Sequence, residues 1–158
     1  MKIITDIDVI NIIKEQNKNH KLLTKSQIIS LDRQWINEVN SNERLMIDKS
    51  LENTLSHYLK KIKNESNGLH TEIFVMDNKG LNVGQSNITS DYWQGDEAKL
   101  QKSLERGKSG FHISNIKYDE SSKVFQSQIS LTITDPTSGT PIGALTVGID
   151  IEKALSIK

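Results

Sequence analysis

The sequence predicts an α+β fold in which long N-terminal helices pack on one face of a five-stranded antiparallel sheet. Apolar residues recur at helical spacing over residues 1–66, whereas short β-branched segments separated by turn residues follow over residues 67–158. A chain of 158 residues can bury about 68–70% of its unfolded surface and needs no covalent staple. We therefore expect one domain over residues 1–158, with a helical first part and a sheet-forming second part.

Three helical patterns precede the sheet. Thr24 and Gln27 fit a capping box, so the second helix is predicted to begin there. The third pattern is the longest and runs up to Asn67 and Gly68 with one apolar stripe, which is either a packing face for the rest of the domain or a face for a partner or a second copy. The apolar positions of the three patterns are Ile7, Ile10 and Ile13, then Ile28, Leu31, Trp35 and Val39, then Leu45, Leu51, Leu55, Leu59 and Ile62.

Five strands are predicted after residue 70, with one helix inserted between the second and the third. Turn signals at residues 77–80, 119–123 and 135–139 separate strands that we expect to pair as antiparallel neighbours. The inserted helix is expected at residues 97–104, ending near Gly107. The predicted strands cover residues 71–76, 81–85, 110–118, 124–134 and 142–150.

Alternation along the two last strands separates an apolar face from a polar one. Phe125, Ile129, Leu131 and Ile133 fall on one face of the longest strand, and Gln126, Gln128, Ser130 and Thr132 fall on the other. The polar face is either simply solvated or the floor of a small-molecule site. Because the N-terminal helices are expected to claim the apolar face, the inserted helix and the loop before it should cover the polar face.

The segment at residues 89–97, TSDYWQGDE, places two of the eight aromatic residues among carboxylates, an amide and a glycine. It is either a lid over a pocket or a surface turn in which Asp96 caps the next helix. As a lid above the polar sheet face, it would help to enclose a chamber in which Lys99 or Lys102 could attract a carboxylate. The predicted ligand-binding residues are Asp91, Tyr92, Trp93, Gln94, Lys102, His112, Gln128, Ser130 and Thr146.

The composition gives no indication of a nucleic-acid partner, a cofactor or a metal. The 20 basic and 20 acidic residues leave a net charge of zero, and the absence of cysteine excludes disulfides and thiolate ligands. Asp91, Asp96 and Glu97 do not have the spacing of a calcium loop, and no histidine is near them in the chain. We therefore do not expect an enzyme. With no apolar run near ~18 residues, we also expect a soluble chain.

Three passages resemble the PAS-like extracellular sensor domains called single Cache or PDC domains. They are LDRQW at residues 31–35, EIFVMDNKGLNVGQSNITSDYWQGDEAKLQKSL at residues 72–104, and FQSQISLTITDPTSGTPIGALTVGID at residues 125–150. The sequence is similar to stand-alone bacterial PDC sensor proteins and to sensor modules of chemoreceptors and kinases. The resemblance covers nearly the whole chain.

This resemblance implies a periplasmic or extracellular domain for signal transduction or chemotaxis. It implies that a short carboxylate or an amino acid binds between the sheet and the lid loop at residues 91–96, with Lys102, Gln128 and Ser130 around it. A membrane receptor or a kinase would then be the signalling partner. The arginine motif that holds the α-carboxylate in double Cache domains has no counterpart, since Arg106 is the only arginine after Arg44. The alternative is a structural or dimerisation module with a vestigial pocket and a homodimer face on the N-terminal helices.

Overall fold

Three of the four α-helices described before the sheet begin at residues whose side chains satisfy free backbone N–H groups. The computed structural model describes residues 2–120 and 122–157. Asp6 accepts hydrogen bonds from the N–H groups of Asp8 and Val9, and the predicted capping box of Thr24 and Gln27 is confirmed. The described helices are α1 (Ile7–Asn19), α2 (Lys25–Val39), α3 (Leu45–Leu51), α4 (Thr54–Glu65), α5 (Ala98–Glu105) and α6 (Ile151–Ser156), with short 3-10 helices at Lys2–Thr5 and Gly107–Ser109.

The third helical pattern forms two helices, α3 and α4, where the sequence predicts one. The side chain of Asn53 accepts a hydrogen bond from the N–H of Ser56 at 2.8 Å, so Asn53 caps a new helix. A side chain that bonds to the backbone in this way competes with the continuous helical ladder. The long helix is therefore interrupted between Leu51 and Thr54.

The strands form one antiparallel sheet in the order β2-β1-β6-β5-β3, and β4 also pairs with β5. The fold class is confirmed, but the described residues contain six strands because the predicted third strand is divided. Phe111 pairs with Leu131 and Tyr118 pairs with Phe125, so the register shifts between them. The strands are β1 (His70–Asp77), β2 (Asn82–Gln85), β3 (Phe111–Ile113), β4 (Lys117–Asp119), β5 (Val124–Thr134) and β6 (Pro141–Asp150).

Helices lie on both faces of the sheet. On one face α1 and α4 pack against β1, and the leucine stripe contributes Leu55 and Leu59 to the main hydrophobic core. These leucines are 2% and 0% exposed, so this part of the stripe is a packing face, whereas Leu45 at the start of α3 is 81% exposed. On the other face Leu100 of α5 packs against Phe74 of β1. No helix among residues 2–120 and 122–157 is long and apolar enough to cross a membrane.

The N-terminal helices cover only part of the apolar sheet face, which corrects the expectation that they claim all of it. Ile133 is completely buried, whereas Phe125 on the same strand and face is 51% exposed. The reason is position: α1 and α4 pack over β1, β2 and β6, and the β3–β5 side of the sheet lies beyond them.

Candidate functional site

A cavity of about 590 Å³ lies on the polar face of the sheet, and we call it the α5 cavity. Its lining includes Lys102 from α5, His112 from β3, Lys117 from β4, and Gln126 and Gln128 from β5. Three of the nine predicted ligand-binding residues, namely Lys102, His112 and Gln128, are thus brought together. A volume of this size falls within the roughly 300–1,000 Å³ typical of small-molecule sites.

The wall of the cavity depends on a close approach between α5 and the start of β3. A Cβ atom at Gly110 would collide with the backbone carbonyl of Ser103, so only glycine permits this spacing. The hydroxyl of Thr132 donates a hydrogen bond to the same carbonyl at 2.7 Å. These contacts place α5 above β5 and leave the cavity open beside its first turns.

The floor of the cavity is an ordered network of amides around one carboxylate. The Nε2 groups of Gln126 and Gln128 donate to Oε1 of Glu72 at 3.3 and 2.8 Å, and the hydroxyl of Thr71 donates to Oε1 of Gln126. Gly148 of β6 lies between Glu72 of β1 and Gln128 of β5, and a side chain at Gly148 would collide with Thr71 and Gln126. The floor can therefore offer hydrogen bonds in orientations that are already fixed.

The two lysines on α5 have different surroundings. The ammonium of Lys99 lies 3.1 Å from a carboxylate oxygen of Glu97 and donates to Oε1 of Gln94 at 3.0 Å, so its charge is already matched. Lys102 is exposed and has no ion-pair partner within the described ranges 2–120 and 122–157. Lys102 is therefore the cation of α5 that can approach an anionic ligand.

His112 has a pKa below its ordinary value, and the causes are partial burial first, then the positive charges of Lys102 and Arg106. The imidazole is accordingly neutral at pH 7 and can both donate and accept a hydrogen bond. Opposite it, the carboxylate of Asp119 accepts from the N–H and the hydroxyl of Ser122 at 2.7 and 2.6 Å. In the described residues no group of three or more histidine or acidic side chains is arranged to hold a metal ion.

Ser130 and Thr146 do not reach the cavity, which corrects their predicted place in its floor. Both are completely buried, and their hydroxyl groups lie 2.9 Å apart across the β5–β6 pair. They are on the expected face, but α5 packs against β5 and β6 there and shields them.

Tyr92 and Trp93 face α2, not the polar sheet face. Their backbone N–H groups both donate to one carboxylate oxygen of Asp32, at 2.9 Å each. The Tyr92 ring stacks on Trp35 with 5.4 Å between centroids, and the Lys25 ammonium lies 3.3 Å from the centroid of the Trp93 ring. Burial, followed by the charge of Asp77, raises the pKa of Tyr92 to about 12. The two rings thus lie on the α2 side of their loop, outside the α5 cavity.

Asp91 and Gln94 close the loop on itself. The carbonyl oxygen of Asp91 accepts from the side chains of Asn82, Thr89 and Gln94. The carboxylate of Asp91 accepts from the hydroxyl of Ser90, a residue that does line the α5 cavity. The expected cap at Asp96 is wrong, because Glu97 is the N-cap residue of α5 and makes no capping hydrogen bond with its side chain. The loop therefore borders the α5 cavity at Ser90, and hydrogen bonds within the loop and to Asp32 of α2 hold it in place.

Sequence reasoning did not identify Glu72 or Gln126 as site residues. The sequence could have indicated Gln126, because it lies two residues from Gln128 on the longest strand and therefore on the same face. The indication for Glu72 was weaker: it is a charged residue within a strand of otherwise apolar character. Its place beside the glutamines depends on the pairing of β1 and β5 with β6 at Gly148.

No protein-family model and no curated protein matches the sequence. Solved structures do match. The extracellular domain of rpHK1S-Z16, a protein assigned as a histidine kinase, has a TM-score of 0.51 and 14% identity over 62% of this chain and 40% of that chain. The sensory domain of the Campylobacter jejuni chemoreceptor Tlp3 has a TM-score of 0.50 and 16% identity over 90% of this chain and 59% of that chain.

A third similar structure is the extracellular domain of vpHK1S-Z8, also assigned as a histidine kinase, with a TM-score of 0.50 and 13% identity over 92% of this chain and 61% of that chain. This chain therefore spans between 40% and 61% of the length of these three solved chains. Identities of this size establish the fold only. The chain has the fold of these sensory domains, as its resemblance to Cache and PDC domains predicts.

Proposed function

We propose that the chain is a single sensor domain, located in the periplasm or outside the cell, that binds a small polar metabolite in the α5 cavity. The observation that carries the proposal is the cavity itself. It combines a polar floor at Gln126 and Gln128, whose amides are oriented by Glu72, with an exposed lysine at Lys102, on a fold shared with sensory domains. A few convergent polar groups in a concave site are the usual anatomy of small-molecule recognition.

The side chains around the cavity favour a short carboxylate that also carries a hydroxyl or an amino group. Lys102 and Lys117 supply positive charge for the carboxylate. The carboxylate of Asp119 and the carbonyl oxygens of Gln126 and Gln128 can accept hydrogen bonds from a hydroxyl or ammonium group. Hydroxy acids and amino acids satisfy both requirements, so the ligand class predicted from the sequence remains our proposal.

The loop at residues 89–97 gives the cavity a mechanical connection to the N-terminal helices. Ser90 lines the cavity, and the next residues are fixed to α2 through Asp32. If the loop has two conformations, a ligand that binds one of them more tightly shifts the equilibrium toward it, and the size of the shift is set by the difference in affinity. We propose that this shift moves α2 and is transmitted to a membrane receptor or a kinase.

The predicted role of Asp91, Tyr92, Trp93 and Gln94 changes in this proposal. They position the wall of the cavity and do not contact the ligand. The alternative function, a dimerisation module built on the N-terminal helices, keeps less support from the leucine stripe, because Leu55 and Leu59 of that stripe are core residues.

Titration calorimetry with a panel of short hydroxy acids, keto acids and amino acids tests the proposal. We expect one compound class to bind, and Lys102→Met to weaken its affinity at least about tenfold, since a charge-assisted hydrogen bond contributes about 1.5–3 kcal/mol. The matched control is Lys61→Met on α4, which removes an exposed lysine remote from the cavity. The proposal fails if no compound binds, or if Lys102→Met and Lys61→Met bind it equally well.

A further inference from the structure

The sheet face opposite Gln126 and Gln128 carries an apolar surface that the described helices leave uncovered, and two of its residues, Ile113 and Tyr118, also border the α5 cavity at the sheet edge. Its four principal side chains are Phe111, Ile113, Tyr118 and Phe125, each between 47% and 57% exposed, and we call this surface the β3–β5 patch. Phe111 and Ile113 pair with Leu131 and Ile129, and Tyr118 pairs with Phe125, so all of them point to one face.

The patch is internally ordered and has a charged edge. The rings of Tyr118 and Phe125 pack edge to face with 5.3 Å between their centroids. The guanidinium of Arg106 lies 5.5 Å from the centroid of the Phe111 ring. An apolar patch rimmed by polar groups is typical of a protein interaction site.

The area of the patch is close to what one half of a stable dimer interface needs. Three half-exposed aromatic side chains, each with roughly 150–250 Å² of surface, leave roughly 300 Å² open. Ile113 and the partly exposed Ile129 and Leu131 bring the total to on the order of 400–500 Å². A standard interface buries about 800 Å² on each partner, of which about 57% is apolar, or roughly 450 Å².

We propose that the β3–β5 patch is the homodimer face of this protein and that a second copy covers it by sheet-on-sheet packing. The patch is the side-chain surface of a sheet, and two such surfaces pack well by interdigitating their side chains. Contact between identical surfaces needs only a two-fold axis, and a net charge of zero brings no overall repulsion between the copies. The test of this dimer needs no ligand, so its outcome is distinguishable from a failure of the proposed function.

Sedimentation equilibrium at protein concentrations up to about 500 μM tests the proposal. We expect the wild-type chain to approach twice its mass of 17.8 kDa. Ile113→Lys should raise the dimer dissociation constant more than about a hundredfold, because the two-fold axis buries two like charges. Leu22→Lys is the matched control, since Leu22 is an exposed apolar residue outside the patch, and it should leave the dissociation constant unchanged.

Far-ultraviolet circular dichroism verifies that each variant is folded, and Phe125→Ser is measured as a second variant of the patch beside Ile113→Lys. A chain without cysteine also permits a geometric test: with Ile113→Cys, a thiol cross-linker should yield a covalent dimer, and with Leu22→Cys it should not. A wild-type chain that stays at the monomer mass throughout overturns the proposal. So does a dimer that survives both Ile113→Lys and Phe125→Ser.

Discussion

One carboxylate orients the floor of the α5 cavity. Glu72 accepts from both Gln126 and Gln128, which holds the carbonyl oxygens of the two amides in a fixed direction. Glu72→Gln replaces an acceptor with an amide that can also donate, so either glutamine can turn over. We expect ligand affinity to fall about tenfold by calorimetry, with the fold unchanged. Glu65→Gln on α4 is the control, and an equal loss in both variants would contradict the role of Glu72.

The titration of His112 reports the charge of its surroundings. Burial, Lys102 and Arg106 together lower its pKa in the folded protein. Because the unfolded chain then binds a proton more readily, His112 contributes stability that is fully present above the unfolded pKa and is lost as the pH falls through the folded pKa. Lys102→Met removes one of the causes and should raise the pKa of His112, measured by NMR titration of the imidazole.

His70 provides an internal reference in the same spectra, because its pKa is lowered by burial alone. It should titrate identically in the wild-type protein and in Lys102→Met. An unchanged pKa of His112, or equal changes at His70 and His112, would show that Lys102 does not act on His112 directly.

The sequence predicted which face of the sheet a residue occupies. It did not predict which residues of that face are covered by a helix and which line the cavity. Period-2 alternation correctly placed Gln128, Ser130 and Thr146 on the polar face. Only Gln128 reaches the cavity, because α5 covers the sheet at Ser130 and Thr146. The position at which a helix crosses a sheet depends on tertiary packing, and the periodicity of the sequence carries no information about it.

Among the structural elements, the contact between α2 and the loop at residues 89–97 has the clearest consequence. One carboxylate oxygen of Asp32 accepts the N–H groups of both Tyr92 and Trp93. Asp32→Ala leaves both without this acceptor, and we expect it to destabilise the protein by about 1–3 kcal/mol in urea unfolding. Hydrogen exchange of residues 89–97 should accelerate more than exchange in β5.

Asp96→Ala is the matched control for this loop, because Asp96 is exposed and does not cap α5. We expect it to change stability by no more than about 0.5 kcal/mol. If Asp96→Ala destabilised the protein as much as Asp32→Ala, the loop would be anchored elsewhere.

Most elements could be predicted because their signals are local. The capping box at Thr24 is an example. Asn53 is also a typical N-cap residue, but the uninterrupted leucine spacing around it favoured one continuous helix. The division between β3 and β4 could not be predicted from composition. It depends on contacts with β5, where the Ser127 hydroxyl donates to the Ser114 carbonyl and the Ser114 hydroxyl accepts from the N–H of Gln128.

At the scale of the whole molecule, the partition of helices between the two sheet faces followed from the sequence. Helices α1 and α4 lie on one face and the inserted helix α5 lies on the other, whereas α2 packs against α3 and the loop at residues 89–97. The extent of their coverage did not follow, because it depends on where along the sheet the helices end. The β3–β5 patch and the α5 cavity both result from this incomplete coverage, and they meet at Ile113 and Tyr118 on the edge of the sheet.

The central claim is that the ligand site is the α5 cavity and not the aromatic side of the loop. Two-dimensional ¹H–¹⁵N NMR during titration with the compound panel tests it directly, since the only two indole signals, from Trp35 and Trp93, report the aromatic side. We predict the largest shifts at the backbone of His112 and at the side-chain amides of Gln126 and Gln128. Shifts centred on the two indole groups, with the glutamine amides unmoved, would contradict the account.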